Sequence, residues 1–147
     1  MSKVKKVIPF IILFFCFLFL NLFVNQLQND EIWNYGFTHN IYSGLVPYKD
    51  FNMVITPLFP FIMSLPFHIF GSSDLLFHIE NAILLVILCY LIYQLIGEKI
   101  FLLGIVTLVF SNSITFPSYN LFLLFLLVLL ISLEKKEEND YLIGFII

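Results

Sequence analysis

The chain has 147 residues, of which 61% are hydrophobic and 18% aromatic, and its formal net charge is −3. Only 12% of the residues are charged, about half of the share that a soluble domain usually carries. The apolar residues come in unbroken runs, so they cannot all face one small core. All seven basic residues are lysines and they form no basic patch, which argues against nucleic acid as a partner. The composition therefore predicts an all-α integral membrane protein.

The first apolar run, residues 7–24, follows a short segment that contains Lys3, Lys5 and Lys6. The run is long enough to cross a bilayer as a helix. It ends in Asn-Leu-Phe-Val-Asn, without the small residues of a signal-peptide cleavage site. We therefore expect an uncleaved first span, TM1, with its N-terminus in the cytoplasm, followed by an extracytoplasmic loop over residues 25–74.

This loop is predicted to contain two interfacial helices, at about 30–43 and 57–70. Trp33, Phe37 and Ile41 recur every four residues, which indicates an amphipathic helix on the membrane surface that ends near Gly44. Its first turn would hold Asp30-Glu31, where the helix dipole favours acidic side chains. The second segment is apolar, but its three prolines make it a poor uninterrupted helix.

The distribution of lysines favours a layout in which 57–70 lies on the surface or re-enters the membrane. The remaining spans are then TM2 at 75–96, TM3 at 100–116, TM4 at 117–133 and the start of a TM5 at 141–147. Lys99, Lys135 and Lys136 fall on the cytoplasmic side in this layout, and Lys49 alone lies outside, which agrees with the positive-inside bias. Because seven residues cannot cross a bilayer, we expect TM5 to be cut off and the chain to be a fragment.

The loop presents its acidic, glycine and proline residues in a characteristic order: Asp30-Glu31, Gly44, Pro47-Tyr48-Lys49-Asp50-Phe51, Pro57-Leu58 and Phe70-Gly71. This order resembles the N-terminal part of GT-C superfamily glycosyltransferases. The most similar groups are the family 39 protein O-mannosyltransferases and the bacterial enzymes that transfer sugars or aminoarabinose to lipid A. Many of the lipid A-modifying enzymes have a basic residue before Pro-Leu, where this chain has Ile55-Thr56.

The resemblance implies a truncated, multi-pass GT-C-like fold in a membrane, expected to be the bacterial cytoplasmic (inner) membrane. It implies that a sugar passes from a polyprenyl-phosphate donor to an acceptor on the outer face, with inversion. Asp30 is the candidate base, and Glu31 would orient it or hold a metal or the acceptor. Tyr48, Lys49 and Asp50 are candidate donor-binding residues. A divalent metal remains open as a cofactor, and beyond the alternative role of Glu31 no residue is assigned as its ligand.

Each of these residues also has a simpler structural explanation. Asp30 and Glu31 could merely cap an interfacial helix, and Asp50 could be a turn residue. Lys49 could be a solvated surface lysine. Two polar residues, Glu80 and Asn81, lie early in an apolar span, where ionisable side chains often have a function. The three histidines match no compact metal-ligand spacing: His39, His68 and His78.

Two other classes of function compete with the enzyme. A non-catalytic small multi-pass membrane protein would be either an enzyme remnant or an accessory subunit of a partner membrane protein. A transporter or lipid flippase is less favoured, because such proteins usually place charges or broken helices at mid-membrane. The apolar runs of this chain have no charges at their centres.

Overall fold

The structure, a computed structural model, describes residues 3–23, 29–97 and 118–135. Within these ranges the chain is all-helical and contains no β-strand, which confirms the predicted all-α class. The helices are α1 (Lys3–Phe23), α2 (Asn29–Tyr42), α3 (Leu58–Ser64), α4 (Phe67–Phe70), α5 (Asp74–Ile96) and α6 (Tyr119–Lys135). The predicted spans 100–116 and 141–147 lie outside the described residues.

Among the described helices, α5 is the one that is both long and apolar enough to cross a membrane. Its bounds, Asp74–Ile96, nearly coincide with the predicted span 75–96. Shorter apolar stretches occur in α1 and α6, over Val7–Phe23 and Tyr119–Glu134. One helix of this kind is consistent with insertion into a membrane, and the number of spans beyond α5 stays a prediction.

Helix α5 packs against both α1 and α6. Their common interface is aliphatic and aromatic, and its buried members are Leu13, Phe17, Ala82, Leu85, Leu88, Cys89, Leu121 and Val128. The opposite faces of the flanking helices are also apolar but exposed, as at Phe15, Phe23 and Leu127, which are 63%, 64% and 54% exposed. Apolar residues therefore cover both the inner and the outer side of these helices, which is typical of helices surrounded by lipid.

Helix α2 ends at a glycine turn, as the sequence predicts. The Leu45 N–H donates to the Asn40 carbonyl at 3.0 Å, and the Gly44 N–H donates to the Ile41 carbonyl at 2.9 Å. This pair of bonds is a Schellman motif, which needs a left-handed residue at the position of Gly44. Gly44 has a φ of 84°, a conformation that side chains disfavour.

The three prolines of segment 57–70 lie where a helix tolerates them. Pro57 and Pro66 immediately precede α3 and α4. Pro60 falls in the first turn of α3, where its missing N–H removes no helical hydrogen bond. The segment therefore forms two short helices, separated by Leu65 and Pro66, in place of one continuous helix.

An aromatic cluster joins these short helices to α5 and α6. Its buried members are Phe59, Met63, Phe67, Phe77 and Phe122. Tyr35 of α2 meets the ring of Phe77 edge-on at 5.5 Å, and Tyr42 meets Phe67 at 5.9 Å. These edge-to-face contacts are the favourable arrangement for aromatic pairs. They hold α2 beside the beginning of α5, where the candidate site lies.

Candidate functional site

The most buried side chains of α2 are polar. Glu31, Asn34 and Thr38 recur at three- and four-residue spacing, and they are 7%, 2% and 0% exposed. The Asn34 amide donates to the Asp30 carbonyl at 2.7 Å, and the Thr38 hydroxyl donates to the Asn34 carbonyl at 2.8 Å. Trp33, from the predicted apolar stripe, is instead 58% exposed. This is the reverse of a surface helix in a water-soluble domain, whose apolar face points inward.

Asp30 is exposed and borders a small cavity. The cavity has a volume of about 60 Å³, room for only a few water molecules. Its other lining residues come from α2, the following loop and the start of α6: Trp33, Asn34, Phe37, Val54, Ile55 and Tyr119. The exposed Asp30 therefore lies at the edge of a cavity that is lined largely by aromatic and aliphatic side chains.

The neighbouring residue, Glu31, points into the protein and meets α5. Its Oε1 lies 3.1 Å from Nε2 of His78, and the same nitrogen lies 3.3 Å from Oδ2 of Asp74. Asp74 and His78 are one helical turn apart in α5, which begins with the Ser73 hydroxyl accepting a hydrogen bond from the Leu76 N–H at 3.1 Å. Because adjacent helical residues point about 100° apart, Asp30 and Glu31 reach different surroundings.

The cluster of Glu31, Asp74 and His78 concentrates acidic groups in a partly buried place. Burial raises the pKa of Glu31 to about 7, and the negative charge of Asp74 contributes to this shift. The pKa of the nearby Tyr35 is also raised, by burial and by Asp74, while a hydrogen bond with the Ser72 side chain opposes the shift. Among the described residues, Glu31 Oε2 and His78 Nδ1 have no hydrogen-bond partner. The cluster thus has two carboxyl groups and unused ligand atoms around one imidazole.

The candidate donor-binding residues form a tight turn after α2. Oδ2 of Asp50 accepts a hydrogen bond from the Val46 N–H at 2.8 Å, so Asp50 acts here as a turn residue. Tyr48 has a φ of 63°, and its hydroxyl donates to the Ile55 carbonyl at 2.9 Å. Lys49 is exposed. Since Ile55 also lines the Asp30 cavity, Tyr48 connects this turn to the cavity wall.

The three histidines do not come together. His39 and His68 are exposed and lie against the ring of Tyr42, at 5.9 and 5.1 Å between ring centroids. His78 instead joins Glu31 and Asp74. Sequence reasoning did not single out Asp74, although its spacing of four residues from His78 indicated that the two could meet on one helix face.

Glu80 and Asn81 differ in their surroundings. The Asn81 amide donates to Oδ1 of Asn21 at 3.2 Å, and the Asn21 amide donates to the Phe17 carbonyl at 2.8 Å. These bonds form a buried polar link between α1 and α5. Both carboxyl oxygens of Glu80 are buried without a hydrogen-bond partner among the described residues.

Comparisons with known proteins add no functional assignment. No family model, no curated protein and no solved structure matches this chain. Function must accordingly be inferred from the site, because a helical fold by itself accommodates many activities. The site comprises one exposed carboxylate at a cavity, one partly buried carboxyl–imidazole cluster, and a turn that is bonded to the cavity wall.

Proposed function

We propose that this chain is a GT-C-like membrane glycosyltransferase region that transfers a sugar from a polyprenyl-phosphate donor to an acceptor, with inversion. The reaction takes place on the outer face of the membrane. The observation that carries the proposal is the contrast between Asp30, which is exposed at a cavity, and Glu31, which is buried against α5. One acidic residue is thus available to a substrate, while the other is engaged within the protein.

Asp30 acts as the general base in this proposal. It takes the proton of an acceptor hydroxyl while the hydroxyl oxygen forms a bond to the anomeric carbon. The bond between that carbon and the phosphate oxygen breaks, and the phosphate leaves with the bonding electrons. The cavity of about 60 Å³ admits a hydroxyl group but not a sugar ring, so the ring lies outside, against the aromatic side chains at the opening.

The other candidate residues have supporting roles. Glu31 positions α2 through its contact with His78, and Asp50 closes the turn by accepting the Val46 N–H. Lys49 is an exposed cation in the same turn and suits the phosphate of the carrier. Tyr48 fixes the turn to the cavity wall through Ile55, which keeps the cation and the base in one region of the loop.

The proposal includes a multi-pass arrangement in a bacterial cytoplasmic membrane. The exposed sides of α1, α5 and α6 are apolar, and the lysine distribution favours a cytoplasmic N-terminus. Residues 25–74 then lie on the outer side, at the depth where the phosphate of a polyprenyl carrier meets water. The substrates themselves are membrane-bound, which suits a site at this interface.

The test compares the wild-type chain with Asp30→Asn in proteoliposomes. The vesicles contain a panel of polyprenyl-phosphate-linked sugars with candidate acceptors, and mass spectrometry measures released polyprenyl phosphate, a product common to all acceptors. Loss of a general base should slow release by about 10²- to 10⁴-fold. Glu134→Gln is the matched control, since Glu134 is exposed at the far end of α6. Equal rates for wild type and Asp30→Asn would refute the assignment.

The second candidate function is that of a non-catalytic membrane protein, either an accessory subunit or an enzyme remnant. Two observations favour it: Glu31 and Asp50 already have structural partners within the chain, and the cavity is small. An accessory subunit should co-purify with another multi-pass protein in mild detergent. Such a complex, combined with no polyprenyl phosphate release by the isolated chain, would favour this function over the enzymatic one.

A further inference from the structure

We infer that Glu31, Asp74 and His78 form a binding site for a divalent transition metal, of which Zn²⁺ is the best fit. Each residue offers one ligand atom, and these three atoms lie within 4.8 Å of one another. The ligands come from two helices, with Glu31 on α2 and the other two residues on α5. A bound ion would therefore join the loop helix to the helix that is able to cross the membrane.

Two of the three distances among the ligand atoms match those within a coordination shell. His78 Nε2 lies 3.1 Å from Glu31 Oε1 and 3.3 Å from Asp74 Oδ2. Ligands bound about 2.1 Å from one Zn²⁺ ion are separated by roughly 3.0 to 3.4 Å, for angles between octahedral and tetrahedral. One Nε2–H group can point well at only one of two acceptors, whereas a metal ion satisfies both carboxylates and the imidazole together.

The charge of the cluster and its unused ligand atoms also favour a bound cation. Two carboxylates face one imidazole, so the cluster has excess negative charge when the acids are ionised. Glu31 is 7% exposed, and its second oxygen has no hydrogen-bond partner among the described residues. Burying a carboxylate without compensation is costly, and a divalent cation would neutralise the cluster.

The site is open on one side. The side chains of His78 and Glu31 are 6% and 10% exposed, while that of Asp74 is 70% exposed. An ion can therefore enter past Asp74, and three protein ligands leave a fourth position for water or for an oxygen of another molecule. One imidazole with two carboxylates suits Zn²⁺, since imidazole favours transition metals over Mg²⁺ or Ca²⁺.

The inference does not depend on glycosyl transfer, and its test measures the metal alone. The full chain, purified without a histidine tag in detergent, is titrated with Zn²⁺ against a chromophoric chelator. Co²⁺ serves as a spectroscopic substitute, because its visible absorption bands report the coordination geometry. We expect one ion per chain, and His78→Ala should weaken Zn²⁺ binding by at least about 100-fold, since even outer-shell changes cost about 10- to 100-fold.

Matched variants separate loss of a ligand from loss of fold. His39→Ala removes an exposed histidine outside the cluster and should leave binding unchanged. Asp74→Asn alters the exposed ligand with little change of shape and should weaken binding even if His78→Ala proves unstable. Circular dichroism checks that each variant stays helical. The inference is overturned if wild type binds no Zn²⁺, or if folded Asp74→Asn binds it as tightly as wild type does.

Discussion

At the scale of single residues, the site depends on how two adjacent acids are placed. Asp30 faces the cavity, while Glu31 meets His78 and Asp74. Solvation stabilises the ionised form of an exposed carboxylate, and burial disfavours it. In the proposal, Asp30 is therefore the residue that accepts a proton from a substrate, and Glu31 holds α2 and α5, or a metal, together.

The raised pKa of Glu31 predicts a pH-dependent stability of the metal-free chain. Its pKa is 4.5 in a model compound and about 7 in the folded chain, so the folded state binds the proton more tightly. The contribution to stability is fully present below about pH 4.5 and is lost as the pH rises through about 7. With a chelator present to remove metal ions, the melting temperature of the wild type should therefore fall as the pH rises from about 4.5 to about 7.

Glu31→Gln isolates this contribution. The other ionisable side chains around Glu31 are those of Asp74, His78 and Tyr35, and they remain in this variant. The amide at position 31 cannot ionise, so the melting temperature of Glu31→Gln should fall less with rising pH than that of the wild type. Thermal unfolding in detergent, followed by circular dichroism at several pH values, measures the difference. Identical pH profiles would contradict the assignment of the shift to Glu31.

The sequence identified part of this site. The divergence of Asp30 and Glu31 follows from helical geometry, and the sequence left the role of Asp50 as a turn residue open as an alternative. The bond of the Tyr48 hydroxyl to the Ile55 carbonyl was not expected. The contact of Glu31 with His78 spans 47 positions in the chain, so no local pattern could reveal it. The one local signal of this cluster in the sequence is the four-residue spacing of Asp74 and His78. That spacing indicates a site only when α2 lies beside α5 and brings Glu31 to the same imidazole.

At the scale of helices, the orientation of α2 was the feature that sequence could not supply. The repeat of Trp33, Phe37 and Ile41 indicates an apolar stripe, but not which side meets protein and which meets lipid. Tyr35 and Tyr42 decide this, because their contacts with Phe77 and Phe67 fix the helix with Glu31 inward. The three prolines, by contrast, indicated that segment 57–70 is a poor uninterrupted helix, and the structure divides it into α3 and α4.

The hydrogen bond between Asn21 and Asn81 predicts a measurable coupling between α1 and α5. Asn21→Leu or Asn81→Leu should each lower stability by about 0.5–1.5 kcal/mol, a typical value for polar contacts between membrane helices. The double variant should lose less than the sum of the two single losses, because each single change removes the same bond. Denaturation in mixed micelles gives the four stabilities. Strict additivity would show that the bond contributes nothing.

At the scale of the whole molecule, the account requires the loop and the end of α6 to lie on opposite sides of the membrane. A chain in which Cys16 and Cys89 are replaced by alanine can carry a single new cysteine at Lys49 or Glu134, both exposed. An impermeant maleimide should label Lys49→Cys in intact bacterial cells. It should label Glu134→Cys only after the membrane is opened. Labelling of both in intact cells would contradict the proposed topology.

The central claim is that the Asp30 carboxylate accepts a proton from the acceptor, and chemical rescue tests it most directly. Asp30→Ala removes the base and leaves space beside the cavity, so added formate can supply a carboxylate there. The measurement is polyprenyl phosphate release in proteoliposomes, with and without formate. The account predicts that Asp30→Ala releases polyprenyl phosphate slowly and that formate accelerates this release. Formate should not accelerate release by the wild type. Release by Asp30→Ala at the wild-type rate without formate would contradict it.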